Sequence, residues 1–168
     1  MKKFELTSET KINIFGKKLF RIKALISFGD VEAGETGGWV EKEGNVNQSG
    51  DAWVFGDAEV SGNAKVYGNA KVSGNAEVYG NAEVSGDAWV YGDAEVSGNA
   101  DYTTIHGFGT QFRTTTFFRC KDKKVRVACG CFFGTIPEFR EQVKNTRKGK
   151  IAEEYLMIAD LMEKHFEK

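Results

Sequence analysis

Glycine returns at every sixth position through the middle of this chain: Gly44, Gly50, Gly56, Gly62, Gly68, Gly74, Gly80, Gly86, Gly92 and Gly98. The unit reads Gly-Asn/Asp-Ala-x-Val-x, as in GDAEVS, GNAKVY and GNAEVS. A fixed short period specifies a stack of equivalent units, and it takes priority over any local reading. The valines from Val54 to Val96 each follow a small alanine by two residues. Residues two apart in extended chain point the same way, so Ala-x-Val turns both side chains inward on a short strand. Gly followed by Asn or Asp then makes the corner, because these residues tolerate a left-handed backbone. A helix cannot use this pattern.

The repeat over residues 44–103 resembles the hexapeptide repeat of left-handed β-helices, in which three units make one triangular coil. That resemblance implies a mainly β fold, a left-handed hexapeptide-repeat β-helix (β-solenoid) with a small α+β C-terminal cap. The stretch SFGDVEAGETGGWVEKEGNV is similar to the opening segment of YdcK-like β-helix proteins. The tail from Tyr102 to Phe166, with its ACGCFFGTIPEF and IAEEYLMIADLM segments, resembles tails attached to solenoids in phage and prophage proteins of bacteria. The expected division is an N-terminal β cap over 1–43, the solenoid over 44–103, and a hairpin with two helices over 104–168.

A coil of eighteen residues stacks positions eighteen apart at ~4.8 Å. One face then carries Trp53, Lys71 and Trp89, with Phe55, Ser73 and Tyr91 beside them. This is an aromatic contact face around one cation. A second carries Glu59, Glu77 and Glu95, a column of like charges that needs solvent or partners. A third carries Lys65, Glu83 and Asp101. The last residue of each unit also alternates between Phe/Tyr and Ser, from Phe55 and Ser61 to Tyr91 and Ser97. This twelve-residue period allows a flattened two-sided coil as the competing register.

Both ends of a solenoid need caps. KINIF and KKLFRIKALISF alternate as strands over the first coil. QFRTTTFFRC and VRVACGCFF flank Lys121-Asp122-Lys123-Lys124, which predicts a β-hairpin. Cys129 and Cys131 alternate with Val125, Val127 and Phe133, so all five are expected on one buried face. Thr135 and Glu138 form a capping box with Pro137 in the first turn, so a helix starts there, and Arg147-Lys148-Gly149-Lys150 ends it. Ile151, Tyr155, Ile158, Met162 and Phe166 define a second, amphipathic helix.

The net charge of -1 hides an asymmetry. Residues 41–101 hold 3 basic and 11 acidic groups, whereas 102–168 hold 13 basic and 8 acidic. The acidic solenoid would repel a long polyanion, so no long nucleic acid is expected as a partner. No apolar run approaches the ~20 residues of a membrane span, and three cysteines without a signal-peptide pattern fit a reducing bacterial cytoplasm.

Left-handed β-helices include acyltransferases and γ-class carbonic anhydrases. The latter need three histidine zinc ligands, and this chain has only His106 and His165. No metal and no cofactor is expected. An acyltransferase would need His106 as its base, and His106 lies just outside the repeats. The basic hairpin is the better candidate site. Arg113, Thr115, Phe117, Arg119 and Lys121 share one face of its first strand, and Lys124, Arg126 and Phe132 lie opposite the cysteine face of the second. If those faces coincide, arginine forks would hold phosphates while Phe117, or Trp53 and Trp89, stack a base, with His106 nearby. The sequence therefore favours a non-catalytic binding protein. The phage resemblance implies capture of a small nucleotide-like signal of host defence in a homo-oligomer, a trimer by analogy with the fold. The alternatives are a scaffold or host-protein-binding module, and an acyltransferase-like enzyme.

Overall fold

The structure of the protein, a computed structural model, describes residues 1–167. It opens with a hairpin of β1 (Phe4–Ile12) and β2 (Lys18–Ala24), and β2 pairs antiparallel with β3 (Thr36–Val40). Eight two-residue strands then occupy the x-Val positions: β4 (Trp53–Val54), β5 (Glu59–Val60), β6 (Lys65–Val66), β7 (Lys71–Val72), β8 (Glu77–Val78), β9 (Glu83–Val84), β10 (Trp89–Val90) and β11 (Glu95–Val96). They pair in parallel at a spacing of eighteen: Trp53 with Lys71 with Trp89, Glu59 with Glu77 with Glu95, and Lys65 with Glu83. The result is a three-faced β-solenoid of about three turns. The twelve-residue coil is excluded.

Corner geometry underlies the six-residue period. The repeat glycines from Gly50 to Gly92 all have φ between +59° and +73°. Corners also stack directly on corners, so a Cβ on Gly74 would lie 2.8 Å from the amide nitrogen of Gly92. Inside the coil, every repeat alanine and valine from Ala52 to Val96 is buried.

The solenoid boundaries differ from those expected. Trp39 and Val40 already pair in parallel with Glu59 and Val60, so the first coil begins at β3, inside the segment assigned to the N-terminal cap. This coil is two residues longer than the rest: Val46, just after the 3-10 turn Glu43–Asn45, still pairs with Val66 twenty residues on, whereas Trp53 pairs with Lys71 eighteen on, so the extra residues lie between Val46 and Trp53. A second 3-10 turn, Asn99–Asp101, ends the repeat before residue 103 and takes Asp101 out of the Lys65–Glu83 ladder.

The N-terminal hairpin closes the first coil. Phe4 and Phe28 pack edge-on against Trp53 with ring centroids 5.7 and 5.2 Å away. Lys3 is buried there, its Nζ donating to the carbonyls of Ala52 (2.8 Å) and Gly50 (3.2 Å). Burial pulls this ammonium down to about 8, against the opposite influence of Asp51.

At the other end, β12 (Tyr102–Phe108), β13 (Arg113–Arg119), β14 (Val125–Cys129) and β15 (Phe132–Thr135) form an antiparallel sheet. Helices α1 (Ile136–Thr146) and α2 (Gly149–His165) follow, and the Thr135–Glu138 capping box is formed. One face of the sheet, with Phe118 and Ala128, covers the last coil. The other, with Phe117 and Val127, meets Phe139 and Val143 of α1 and Tyr155, Ile158 and Met162 of α2. The apolar stripe of α2 is thus buried against the hairpin sheet. The cysteine face is shorter than expected. Gly130 turns the chain at φ +60°, leaving Cys131 exposed and swinging Phe133 to the solenoid side, where its ring lies 4.7 Å from Tyr91.

Both caps neutralise the carboxylate column. Lys11 of β1 pairs with Glu59 (2.7 Å), while Lys121 and Lys123 of the hairpin turn pair with Glu77 (3.1 Å) and Glu95 (3.5 Å).

Candidate functional site

The predicted basic surface is divided between two sides of one sheet. Phe117 pairs with Val127 and Phe118 with Arg126, and directly paired residues share a face. The side chains of Arg113, Thr115, Phe117 and Arg119 therefore lie with Val125, Val127 and Cys129, facing the helices. Arg126 and Ala128 lie on the solenoid side. Phe117 is fully buried between sheet and helices, so it offers no ring for stacking.

Most of the remaining candidates are tied into the fold. Arg119 Nε pairs with Asp101 Oδ1 at 3.2 Å, and its guanidinium also donates to the Phe166 carbonyl. This fastens the solenoid end, the hairpin and the end of α2 together. Arg126 pairs with Asp122 at 2.6 Å and Lys121 with Glu77. His106 is exposed, its Nδ1 2.9 Å from Thr114 Oγ1. Lys124 lines a groove of about 760 Å³ with Lys123 and Lys164, but Asp160, Glu163 and Glu167 also line it, so its charge is mixed.

The aromatic face is divided as well. Trp53 is fully buried under the N-terminal hairpin, and Lys71 is held by Asp30 at 2.5 Å. Phe55 is half-buried beneath them. Only Trp89, 43% exposed, presents a tryptophan ring on this face. Trp89 and Phe133 flank Tyr91 with centroids 4.6 and 4.7 Å away, and Trp89 Nε1 donates to Ser73 Oγ.

Arg113 is different. Of the chain's six arginines, Arg21, Arg119, Arg126 and Arg140 each pair with a carboxylate. Arg113 and Arg147 have no such partner among the described residues, and both line one small pocket of about 110 Å³. The pocket lies between the β12–β13 turn, the β14–β15 turn and the α1–α2 junction. Phe108, Phe132, Phe139 and Tyr155 supply aromatic walls, with the thiols of Cys129 and Cys131 alongside. No Asp or Glu lines it.

Two glycine turns hold this geometry. Gly130 leaves room for the Arg113 guanidinium, which a Cβ there would strike, and Gly109 (φ +78°) leaves room for the Tyr155 hydroxyl, 2.5 Å from where its Cβ would stand. Burial pushes the Tyr155 phenol above its ordinary pKa, while the charges of Arg147 and Arg113 act in the opposite direction. Both cations line the same pocket as Tyr155, and Glu154 opposes their influence on it. The sequence reading found Arg113 but missed Arg147 and Tyr155, which it assigned only to a helix end and an apolar stripe. Their convergence depends on how α1 and α2 fold back on the sheet, which no local spacing records.

No protein-family model matches this chain, and no curated protein does either. Among the described residues, no helix is long and apolar enough to cross a membrane.

Proposed function

We propose that this protein is a non-catalytic β-solenoid binding protein that captures a small phosphate-bearing, nucleotide-like ligand at the Arg113–Arg147 pocket. The observation that carries this reading is that the two arginines without a carboxylate partner among the described residues converge on one carboxylate-free pocket. Guanidinium forks suit phosphate oxygens, and the neighbouring rings suit a planar group. The hexapeptide-repeat and YdcK-like features, with a tail like those of phage and prophage solenoids, direct the reading toward sequestration of a nucleotide signal of host defence. Self-association, as a trimer, belongs to the same proposal.

The rival scaffold reading has one observation in its favour, the exposed Trp89 and Phe133 on either side of Tyr91. Aromatic clusters of this kind mark contact surfaces.

The test is native mass spectrometry after incubation with protein-free extract from bacteria whose nucleotide-based defences are active. Capture adds a small-molecule mass to the wild type and none to Arg113→Ala/Arg147→Ala. An unchanged wild-type mass would overturn capture and favour the scaffold.

A further inference from the structure

We infer that the pocket selects a single terminal phosphate monoester, free of divalent metal, with the remainder of the ligand lying outside against exposed aromatic rings. The inference rests on the anion-capture reading above and deepens it. Size is the first argument. A cavity of about 110 Å³ is well below the ~300 Å³ at which pockets begin to enclose whole small molecules. It has room for one phosphoryl group but not for a base and sugar.

Charge is the second. Arg113 and Arg147 bring two positive charges, Glu154 lies outside the lining, and no carboxylate in the lining itself recruits a cation. A monoester carries about -1.5 to -2 at pH 7 and matches this pair, whereas a diester carries a single charge. A triphosphate travelling with a divalent cation would bring that cation against two guanidinium groups.

The third argument is the pocket mouth. Phe108 is partly exposed there, and Phe112, in the turn before Arg113, is 64% exposed with φ +49°. A bulky residue in the left-handed region is strained, and such strain collects at ligand sites. The two rings offer stacking surface to the part of the ligand that cannot enter.

Isothermal titration of the whole protein at fixed ionic strength tests this with inorganic phosphate, adenosine 5′-monophosphate, adenosine 3′,5′-cyclic monophosphate, and ATP with and without Mg²⁺. The monophosphate should bind at least about tenfold tighter than the cyclic diester or MgATP. Its affinity should fall between pH 7 and pH 5 as the monoester takes up a proton, with no matching fall for the diester. Arg113→Ala and Arg147→Ala should each abolish binding, and Phe112→Ala should weaken the nucleotide but not inorganic phosphate. Equal or tighter arginine-dependent binding of the cyclic diester would overturn monoester selection and leave anion capture standing. Binding that survives both arginine substitutions, or no binding of any probe, would overturn the two readings together.

Discussion

Lys121 Nζ lies 3.1 Å from Glu77 Oε1, joining the turn of the C-terminal hairpin to the middle rung of a carboxylate ladder on the solenoid. Glu59 and Glu95 stand one rung away on either side, roughly 4.8 Å along the stack, where like charges repel. Lys121→Ala should therefore cost about 1–2 kcal/mol, more than an isolated surface pair. The loss should shrink in 1 M salt, and Lys121→Ala/Glu77→Gln should recover most of it. Urea denaturation at two salt concentrations measures both effects. A loss indifferent to salt would remove the electrostatic explanation.

Trp53 and Trp89 occupy equivalent rungs of one ladder but different environments. Trp53 is enclosed by Phe4 and Phe28, and Trp89 is 43% exposed. Trp53→Ala should destabilise by about 3–5 kcal/mol through the cavity it leaves. Trp89→Ala should cost less than about 1 kcal/mol in the monomer. With Trp39 also buried, iodide should quench a single tryptophan fraction, and Trp89→Phe should remove that fraction. Quenching that persists in Trp89→Phe would contradict this placement of the rings.

These two tryptophans also mark where sequence reading stops. The eighteen-residue coil, the inward Ala-x-Val pairs, the left-handed corners and the Thr135 capping box are local or periodic, so residue order alone specifies them. Ladder membership follows from period, but exposure does not. Trp53 is buried because Phe4 and Phe28, far upstream in the N-terminal segment, fold over it. The same limit governs the binding residues. Alternation puts Arg113 and Arg119 on one strand face and the β12–β13 register sets Asp101 opposite Arg119, yet only the return of α1 and α2 leaves Arg113 in a pocket and brings the Phe166 carbonyl to Arg119. Hairpin register likewise decides that Arg126 turns away from Arg113.

Gly80 and Gly86 separate two roles of the repeat glycine. Both have φ +64°, but a Cβ on Gly80 would strike the Ser97 carbonyl, while one on Gly86 meets nothing within 4 Å. Gly86→Ala should cost about 1–2 kcal/mol, the strain of a left-handed alanine. Gly80→Ala should cost distinctly more, since stacked backbone must move as well. Thermal unfolding of the two variants side by side gives the difference. Equal losses would mean that corner stacking adds nothing to the glycine requirement.

Asp101 should govern part of the acid sensitivity. Its Oδ2 accepts from Ser97 N–H (2.9 Å) and Ser97 Oγ–H (2.8 Å), and its Oδ1 from Arg119 Nε (3.2 Å). Partial burial alone would raise its pKa, but these donors outweigh it and hold the carboxyl below its ordinary value of 3.8. With the folded pKa below the unfolded one, the unfolded chain binds more protons as the pH drops. The stabilisation is therefore complete above about pH 4 and is lost as the pH falls through the folded value. Asp101→Asn should lower stability by about 1–2 kcal/mol at pH 7 and flatten the decline of Tm between pH 4 and pH 2. Because Arg119 would lose its anionic partner, the α2 stripe around Phe166 should loosen before the solenoid does, and hydrogen exchange resolves that order. Tm curves for wild type and variant that run parallel down to pH 2 would place the acid-sensitive group elsewhere.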